Sequence, residues 1–167
     1  MRTTSFPILL GVALIALGAC SQDLTAQASS MHTTVAMNEK THDPGIQWGP
    51  APAVFPAGAQ MAVLAGDPSS AGEYTVRLKM PNGYRIAPHT HPTDENVTVI
   101  EGTFFVGLGN TFQTTGMLRL PEGGFITAPA GHAHYAEARG NTIVQVHGMG
   151  PFQLTYVNPA DAPKGSN

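Results

Sequence analysis

A chain of 167 residues is long enough for one domain with a hydrophobic core and too short for two domains of ordinary size. Charged residues make up only 11% of it, hydrophobic residues make up 42%, and the formal net charge is -3, which together argue against disorder and nucleic-acid binding. The single cysteine excludes an internal disulfide, and 19 glycines with 14 prolines supply the turn residues that an all-β protein needs.

The N-terminus predicts an export signal. Arg2 is the only charge before an apolar run from Phe6 to Leu17. This run is about a dozen residues long, which is too short to span a bilayer but suits a secretory signal peptide. Leu17-Gly18-Ala19-Cys20 then resembles a bacterial lipobox, whose cysteine becomes the lipid-bearing first residue of the mature protein. We therefore expect a signal peptide over residues 1–19 and a lipid anchor on Cys20.

The same segment predicts where the protein resides. The anchor would hold the protein at the periplasmic face of a bacterial membrane, and Ser21 in place of an inner-membrane retention aspartate favours the outer membrane. The alternative is an ordinary cleaved signal, for which Ala26-Gln27-Ala28 offers a site. Residues 20–45 are polar and without pattern, so they are interpreted as a flexible tether.

Short strands are predicted throughout residues 46–158, because turn signals recur about every 8 to 12 residues there. One strand alternates cleanly and places Tyr74, Val76, Leu78 and Met80 on a single face. The predicted strands cover residues 60–64, 74–80, 97–100, 103–108, 115–120, 125–128, 132–138, 141–147 and 152–157. No segment after Cys20 has a helical period of useful length. Residues 159–167 are expected to be a tail ordered only by docking.

A candidate metal site begins at His89 and His91. These two histidines lie in an extended, proline-flanked segment, and residues two apart on a strand point to the same face. Glu95 follows four residues later and can join them if the chain turns after Pro92. Asp94 is the competing carboxylate. Imidazole nitrogens with one carboxylate oxygen are a ligand set for a divalent metal ion.

A second glycine-led turn can supply a third imidazole. Pro129 and Gly131 shape a tight turn, and His134 then lies near the head of a strand that can sit opposite His89 and His91. His132 is a spare imidazole that more simply lines the entrance or faces outward.

The two segments together resemble the cupin superfamily. The first cupin motif is matched at every position, by Gly83, His89, His91, Glu95 and Gly102. The second is matched by Gly123, Pro129, Gly131 and His134, and departs only at its final asparagine, which is Ala138 here. The resemblance implies an all-β jelly-roll barrel. It also implies that His89, His91, Glu95 and His134 hold one divalent ion inside the barrel mouth, with Fe, Mn, Ni, Cu and Zn all compatible.

Two functions remain open for such a site. One is an exported metal-dependent enzyme of oxygenase or isomerase type acting on a small molecule. The other is a non-catalytic lipoprotein that stores, delivers or senses a metal or small ligand. If Gln145 and His147 point inward rather than Val144 and Val146, His147 is the candidate catalytic proton shuttle, with Glu137 as another candidate base. A homodimer through a sheet face is also expected.

Overall fold

The computed structural model describes residues 45–164, so the predicted signal peptide, Cys20 and nearly all of the predicted tether lie outside the described residues. Nine strands form one curled antiparallel sheet of jelly-roll type, followed by a short 3-10 helix at Pro159–Asp161. The strands are β1 (Gly49–Pro50), β2 (Gln60–Ala65), β3 (Gly72–Met80), β4 (Arg85–Thr90), β5 (Glu95–Leu108), β6 (Leu118–Pro121), β7 (Phe125–Ala128), β8 (His134–Gly150) and β9 (Thr155–Tyr156). Within residues 45–164, no helix is both long and apolar enough to cross a membrane.

Strand β8 connects the two halves of the barrel. Its first part pairs with β4, its second part pairs with β3, and β5 runs along both parts. Strand β5 in turn pairs with β6 and β7, while β4 continues to β9. The start of β8 therefore lies beside the end of β4, and this places the second predicted ligand segment next to the first.

The core follows from strand alternation, as the sequence predicts. Tyr74, Val76, Leu78 and Met80 of β3 are all buried, which confirms the predicted face. Across the barrel, Val99 of β5 is paired with Val144 of β8, and each is 1% exposed. Burying a valine side chain stabilises a fold by about 1.5–3 kcal/mol, so this apolar lining supplies much of the free energy of folding.

Two predicted strand breaks are bends instead. Residues 97–100 and 103–108 belong to the single strand β5, and residues 141–147 join most of 132–138 in β8. Gly102 and Gly140 take φ angles of 81° and 75°, and the β5–β8 register shifts around Glu101. A glycine with positive φ lets the ladder curve and continue, so the prediction of separate strands was wrong.

The last predicted strand is much shorter than expected. Only Thr155–Tyr156 of residues 152–157 pairs with β4, and the segment 151–154 runs past the barrel end without strand pairing. Pro151 at its start has no N–H to donate to a ladder. Beyond it, Asn158 caps the 3-10 helix by accepting a hydrogen bond from the Ala160 N–H, so part of the predicted tail is ordered locally.

Candidate metal centre

The candidate site lies where three strands meet. His89 near the end of β4 is paired with His134 at the start of β8, and Glu95 is the first residue of β5. His91 follows β4 directly. The paired backbones of β4 and β8 bring residues separated by 45 positions into contact, which is what the two predicted motifs require.

Two hydrogen bonds join the loop between β4 and β5 to the turn that precedes His134. The Gly131 N–H donates to the His91 carbonyl at 2.8 Å, and the Ala130 N–H donates to Asp94 Oδ1, also at 2.8 Å. Asp94 is therefore occupied in fixing the turn that precedes His134. This removes Asp94 as the competing ligand and gives it a positioning role instead.

The three imidazoles form one compact, buried cluster. His89, His91 and His134 are 3%, 5% and 5% exposed, and one ring nitrogen from each lies within 4.8 Å of the others. Glu95 Oε2 lies 3.5 Å from His91 Nε2 and 3.5 Å from His134 Nε2. The structure thus brings together all four residues that the sequence predicts as ligands.

Each imidazole is oriented by a backbone carbonyl. The Nδ1 atoms of His89 and His91 each lie 2.7 Å from a carbonyl oxygen, of Ala87 and Gln153 respectively. His134 Nδ1 lies 3.1 Å from the carbonyl oxygen of His132. A carbonyl can only accept, so each Nδ1 carries a proton, and in a neutral ring the Nε2 then presents a lone pair. This is the tautomer in which histidine binds a metal through Nε2.

The electrostatics favour neutral imidazole at one ligand and ionised carboxylate at another. Burial lowers the pKa of His89 to about 3, and the neighbouring His134 adds to this shift. Burial opposes ionisation of Glu95, but the hydrogen bond from His134 and the other imidazoles outweigh it and lower the pKa of the carboxyl. Burial likewise opposes charge on His134, but Glu95 outweighs it and raises its pKa.

The residues present fit a divalent metal ion. His91 Nε2 is the one buried side-chain nitrogen or oxygen atom among residues 45–164 that has no hydrogen-bond partner. An orphaned buried polar atom costs about 1–3 kcal/mol, and a metal ion among the three Nε2 atoms would satisfy it. Three imidazoles and one carboxylate suit Fe, Mn, Ni, Cu or Zn.

A narrow cavity adjoins the cluster inside the barrel. Its volume is about 40 Å³. Its polar lining residues are His89, Glu95 and His134, and the remaining walls are apolar side chains such as Ile86 and Val146. Any group that binds at the cluster therefore meets ligand atoms on one side and hydrocarbon on the other.

Other predicted residues lie away from the cluster. His147 is exposed on the face of β8 opposite the buried Val146, which corrects the assumption on which its catalytic role depended. Glu137 is buried between Arg85 and Arg139, at 2.9 Å and 3.1 Å, with its neighbours Ala136 and Ala138 in the core. His132 is exposed and contributes only its carbonyl to the site.

Sequence reasoning missed the groups that support the ligands. The carbonyls of Ala87 and Gln153 orient two histidines, and Phe152 packs against His91 at a ring-centroid distance of 5.4 Å. Every residue has a backbone carbonyl, so the sequence carries no signal for this role. The place of Phe152 beside the metal ligands depends on the path of residues 151–154.

Solved structures with the same fold include enzymes of several kinds. A polyketide cyclase, RemF from Streptomyces resistomycificus, is 16% identical with a TM-score of 0.58, over 73% of this chain and 87% of that one. A proposed acetylacetone dioxygenase from Methylibium petroleiphilum PM1 is 23% identical with a TM-score of 0.55, over 71% and 79%. A variant of salicylate 1,2-dioxygenase from Pseudoaminobacter salicylatoxidans, in complex with gentisate, is 15% identical with a TM-score of 0.51, over 62% and 30%. At these identities the likeness concerns the fold.

Family membership follows from a family model that matches most of the chain. A search of curated proteins gives no match. The family model described as the ChrR cupin-like domain matches residues 36–153, which include every strand from β1 to β8 and all four candidate ligands. The chain therefore belongs to the cupin superfamily, in the family of ChrR cupin-like domains.

Proposed function

We propose that this protein is an exported, metal-dependent cupin enzyme of oxygenase or isomerase type that acts on a small molecule. His89, His91, Glu95 and His134 would hold one divalent ion, which would supply Lewis-acid or redox chemistry to a bound substrate. The observation that supports this most strongly is the set of three imidazoles whose Nδ1 atoms are all committed to carbonyls, so that their Nε2 atoms converge. The imidazoles and the carboxylate would fix the ion, and the apolar cavity walls would leave room for only a few waters beside it.

The choice between oxygenase and isomerase rests on the metal. Cupin-fold proteins carry names from both dioxygenase and cyclase chemistry, so the fold does not decide the reaction. The test is metal analysis of the full chain purified from its native compartment, followed by O₂ consumption with phenols, thiols and diketones. We expect one redox-active ion per chain and substrate-triggered O₂ uptake for an oxygenase. Tight zinc with conversion but no O₂ uptake would point to the isomerase.

A non-catalytic metal-binding protein is the second candidate. The cavity beside the cluster, at about 40 Å³, has room for a few waters and for no organic molecule in this conformation. A protein that stores or delivers the ion itself would need no more space. Bound metal with no turnover of any candidate substrate, combined with ready transfer of the ion to a chelator, would favour this function.

Export and anchoring are proposed from the N-terminal sequence. Cleavage before Cys20 with lipidation of that cysteine would place the domain at the periplasmic face of the outer membrane, joined by the tether of residues 20–45. Mass spectrometry of the mature N-terminus tests this. A lipid-modified Cys20 supports the proposal, whereas an unmodified Cys20 or a start at Ser29 contradicts it. A homodimer likewise remains a prediction, to be measured by sedimentation.

A further inference from the structure

The interior cavity is too small for the substrate of an organic reaction. Its volume of about 40 Å³ compares with roughly 150 Å³ for a protein cavity that takes up benzene. The crevice on the other side of Phe152, between Tyr74 and Glu95, has no free volume. An organic ligand that reaches the metal ligands must therefore enter through a wall that moves.

One wall of the cavity is also the floor of a much larger cleft. This outer cleft is open to solvent and has a volume of about 480 Å³, which lies in the range of small-molecule sites. The side chains that line both the cavity and the cleft are Met61, Pro68, Phe152 and Leu154. A single layer of side chains thus separates the cleft from the cavity beside the ligand cluster.

Phe152 is the part of this wall that can move without disturbing the fold. Its backbone N–H donates to the Pro68 carbonyl at 2.7 Å. The carbonyl of the next residue, Gln153, accepts from His91 Nδ1. Its ring is stacked on Phe55 at 5.7 Å, edge-on to Tyr74 at 6.2 Å and tilted against His91 at 5.4 Å. The side chain is only partly buried, so rotation toward solvent would open the wall while the backbone stays in place.

Met61 of strand β2 lines the same wall as Phe152 and completes the movable part. It is also partly buried and lines both spaces. An unbranched thioether side chain adapts its shape to a neighbour at little cost. Pro68, by contrast, is rigid, and Leu154 is 9% exposed and belongs to the core.

The lining of the outer cleft determines which ligands it suits. None of its lining residues is ionisable; the polar ones are Ser69, Gln153 and Thr155. The passage inward is hydrocarbon until the metal ligands are reached. A charged group carried through such a passage would lose its hydration without finding a partner. The cleft therefore suits an uncharged, apolar body, and the only strong polar partner lies at its inner end.

We propose that Phe152 and Met61 form a gate between the outer cleft and the metal cluster, for a small ligand that is apolar and uncharged except for one oxygen-bearing head. The head would pass the gate and reach the ion, while the apolar body remains in the cleft. This ligand class rests on the metal binding proposed above, but the gate itself can be tested without metal.

The test uses 2-naphthol, a fluorescent molecule with one hydroxyl and an apolar body, and the full chain in both metal-free and cobalt-loaded form. Stopped-flow fluorescence gives the association rate constant. We expect Phe152→Ala and Met61→Ala to raise it about tenfold, because binding that waits for a conformational change is slow. Phe125→Ala, which truncates an exposed phenylalanine on the outer surface of β7, is the matched control and should behave as wild type. Phe152→Leu, with less loss of packing, should give an intermediate rate.

Nitric oxide binding to the cobalt-loaded chains, followed by visible absorption, separates a gate from a change at the metal. Its association should change less than twofold in the Phe152 and Met61 variants, because nitric oxide is uncharged and small enough to pass the closed wall. Equal 2-naphthol rates in all variants, or equal acceleration of nitric oxide, would overturn the gate. If the protein takes up no cobalt but 2-naphthol still enters the Phe152 and Met61 variants faster than wild type, the gate is supported and the metal-dependent function is rejected.

Discussion

The Nδ1 atom of His91 lies 2.7 Å from the carbonyl oxygen of Gln153, a residue 62 positions further along the chain. This contact ties a predicted metal ligand to the segment that forms the wall of the outer cleft. Binding of an ion at His91 Nε2 would restrain the ring, and the restrained ring would hold Gln153 and its neighbour Phe152.

We therefore predict that metal loading protects the backbone around Phe152. The Phe152 N–H, bonded to the Pro68 carbonyl, should exchange with solvent about tenfold more slowly in cobalt-loaded than in metal-free protein. Hydrogen exchange of peptides covering residues 151–154 measures this. The Val99 N–H, bonded to the Gly124 carbonyl in the core, is the internal reference. Equal protection in the two forms would contradict the coupling.

His134→Ala should abolish stoichiometric metal binding, whereas His132→Ala should leave it intact. The two histidines are two positions apart, but His134 is 5% exposed and within the cluster, while His132 is exposed. Loss of one of four ligands typically weakens affinity by at least about tenfold, and loss of the orienting contacts weakens it further. Metal content after dialysis, measured by mass spectrometry of the element, distinguishes the variants. Unchanged content in a combined His89→Ala, His134→Ala chain would reject the site.

Gly102→Ala should destabilise the fold more than Gly123→Ala. Both glycines have positive φ, 81° and 77°, so alanine is strained at either by about 1–2 kcal/mol. At Gly102 the new Cβ would also clash with the Asn141 carbonyl, whereas at Gly123 it meets nothing within 4 Å. Urea unfolding should therefore show a further loss of about 1–3 kcal/mol for Gly102→Ala. Similar losses in both variants would mean that β5 can shift away from Asn141.

Asp94→Ala should loosen the turn before His134, and Asp94→Asn should largely preserve it. The asparagine keeps an oxygen that can accept from the Ala130 N–H, and alanine does not. Asp94 is exposed, so we expect the alanine variant to lose only about 0.5–1.5 kcal/mol in unfolding free energy. Its affinity for cobalt should fall even though all four ligand residues are still present. A metal affinity equal to wild type in the alanine variant would argue against a positioning role.

Glu137→Gln should reduce stability at neutral pH and have little effect in acid. Burial opposes ionisation of Glu137, but hydrogen bonds from Arg139 and Arg85 outweigh it and lower its pKa in the folded state. The carboxylate therefore stabilises the fold above its unfolded pKa of about 4.3, and this stabilisation is lost as pH falls through the lower folded value.

Because both arginine side chains are about half exposed, the difference between wild type and Glu137→Gln should be about 1 kcal/mol at pH 7. It should shrink toward zero as pH falls below about 4. Urea unfolding across this range measures it, with Glu101→Gln, at an exposed position of β5, as the control for removal of one negative charge. A stability difference that grew in acid would contradict the lowered pKa of Glu137 in the folded state.

The candidate ligand set was predictable from the spacing of the histidines together with the resemblance of both segments to the cupin motifs. The structure places the side chains of His89, His91 and His134 in one cluster, with Glu95 beside it. Which face of β8 points inward was not predictable. Residues such as Val146 and His147 lie on opposite faces, and only the closure of the barrel decides which of them is interior. Strand breaks at Gly102 and Gly140 were overpredicted, because a positive-φ glycine bends a ladder as readily as it ends one.

Strand β8 pairs with strands that lie far from it in the sequence, and this affects the order in which the protein can assemble. Among the strands of residues 45–164, β4, which presents His89, pairs only with β8 and β9, and β3 pairs only with β2 until β8 arrives. Such pairing between distant segments makes a fold slow to form. During synthesis, His89 and His91 are therefore made about 45 residues before the strand that positions them against His134. The nascent chain can build its metal cluster only after His134 has been made, so a chain interrupted before residue 134 carries three of the four predicted ligands and no complete site.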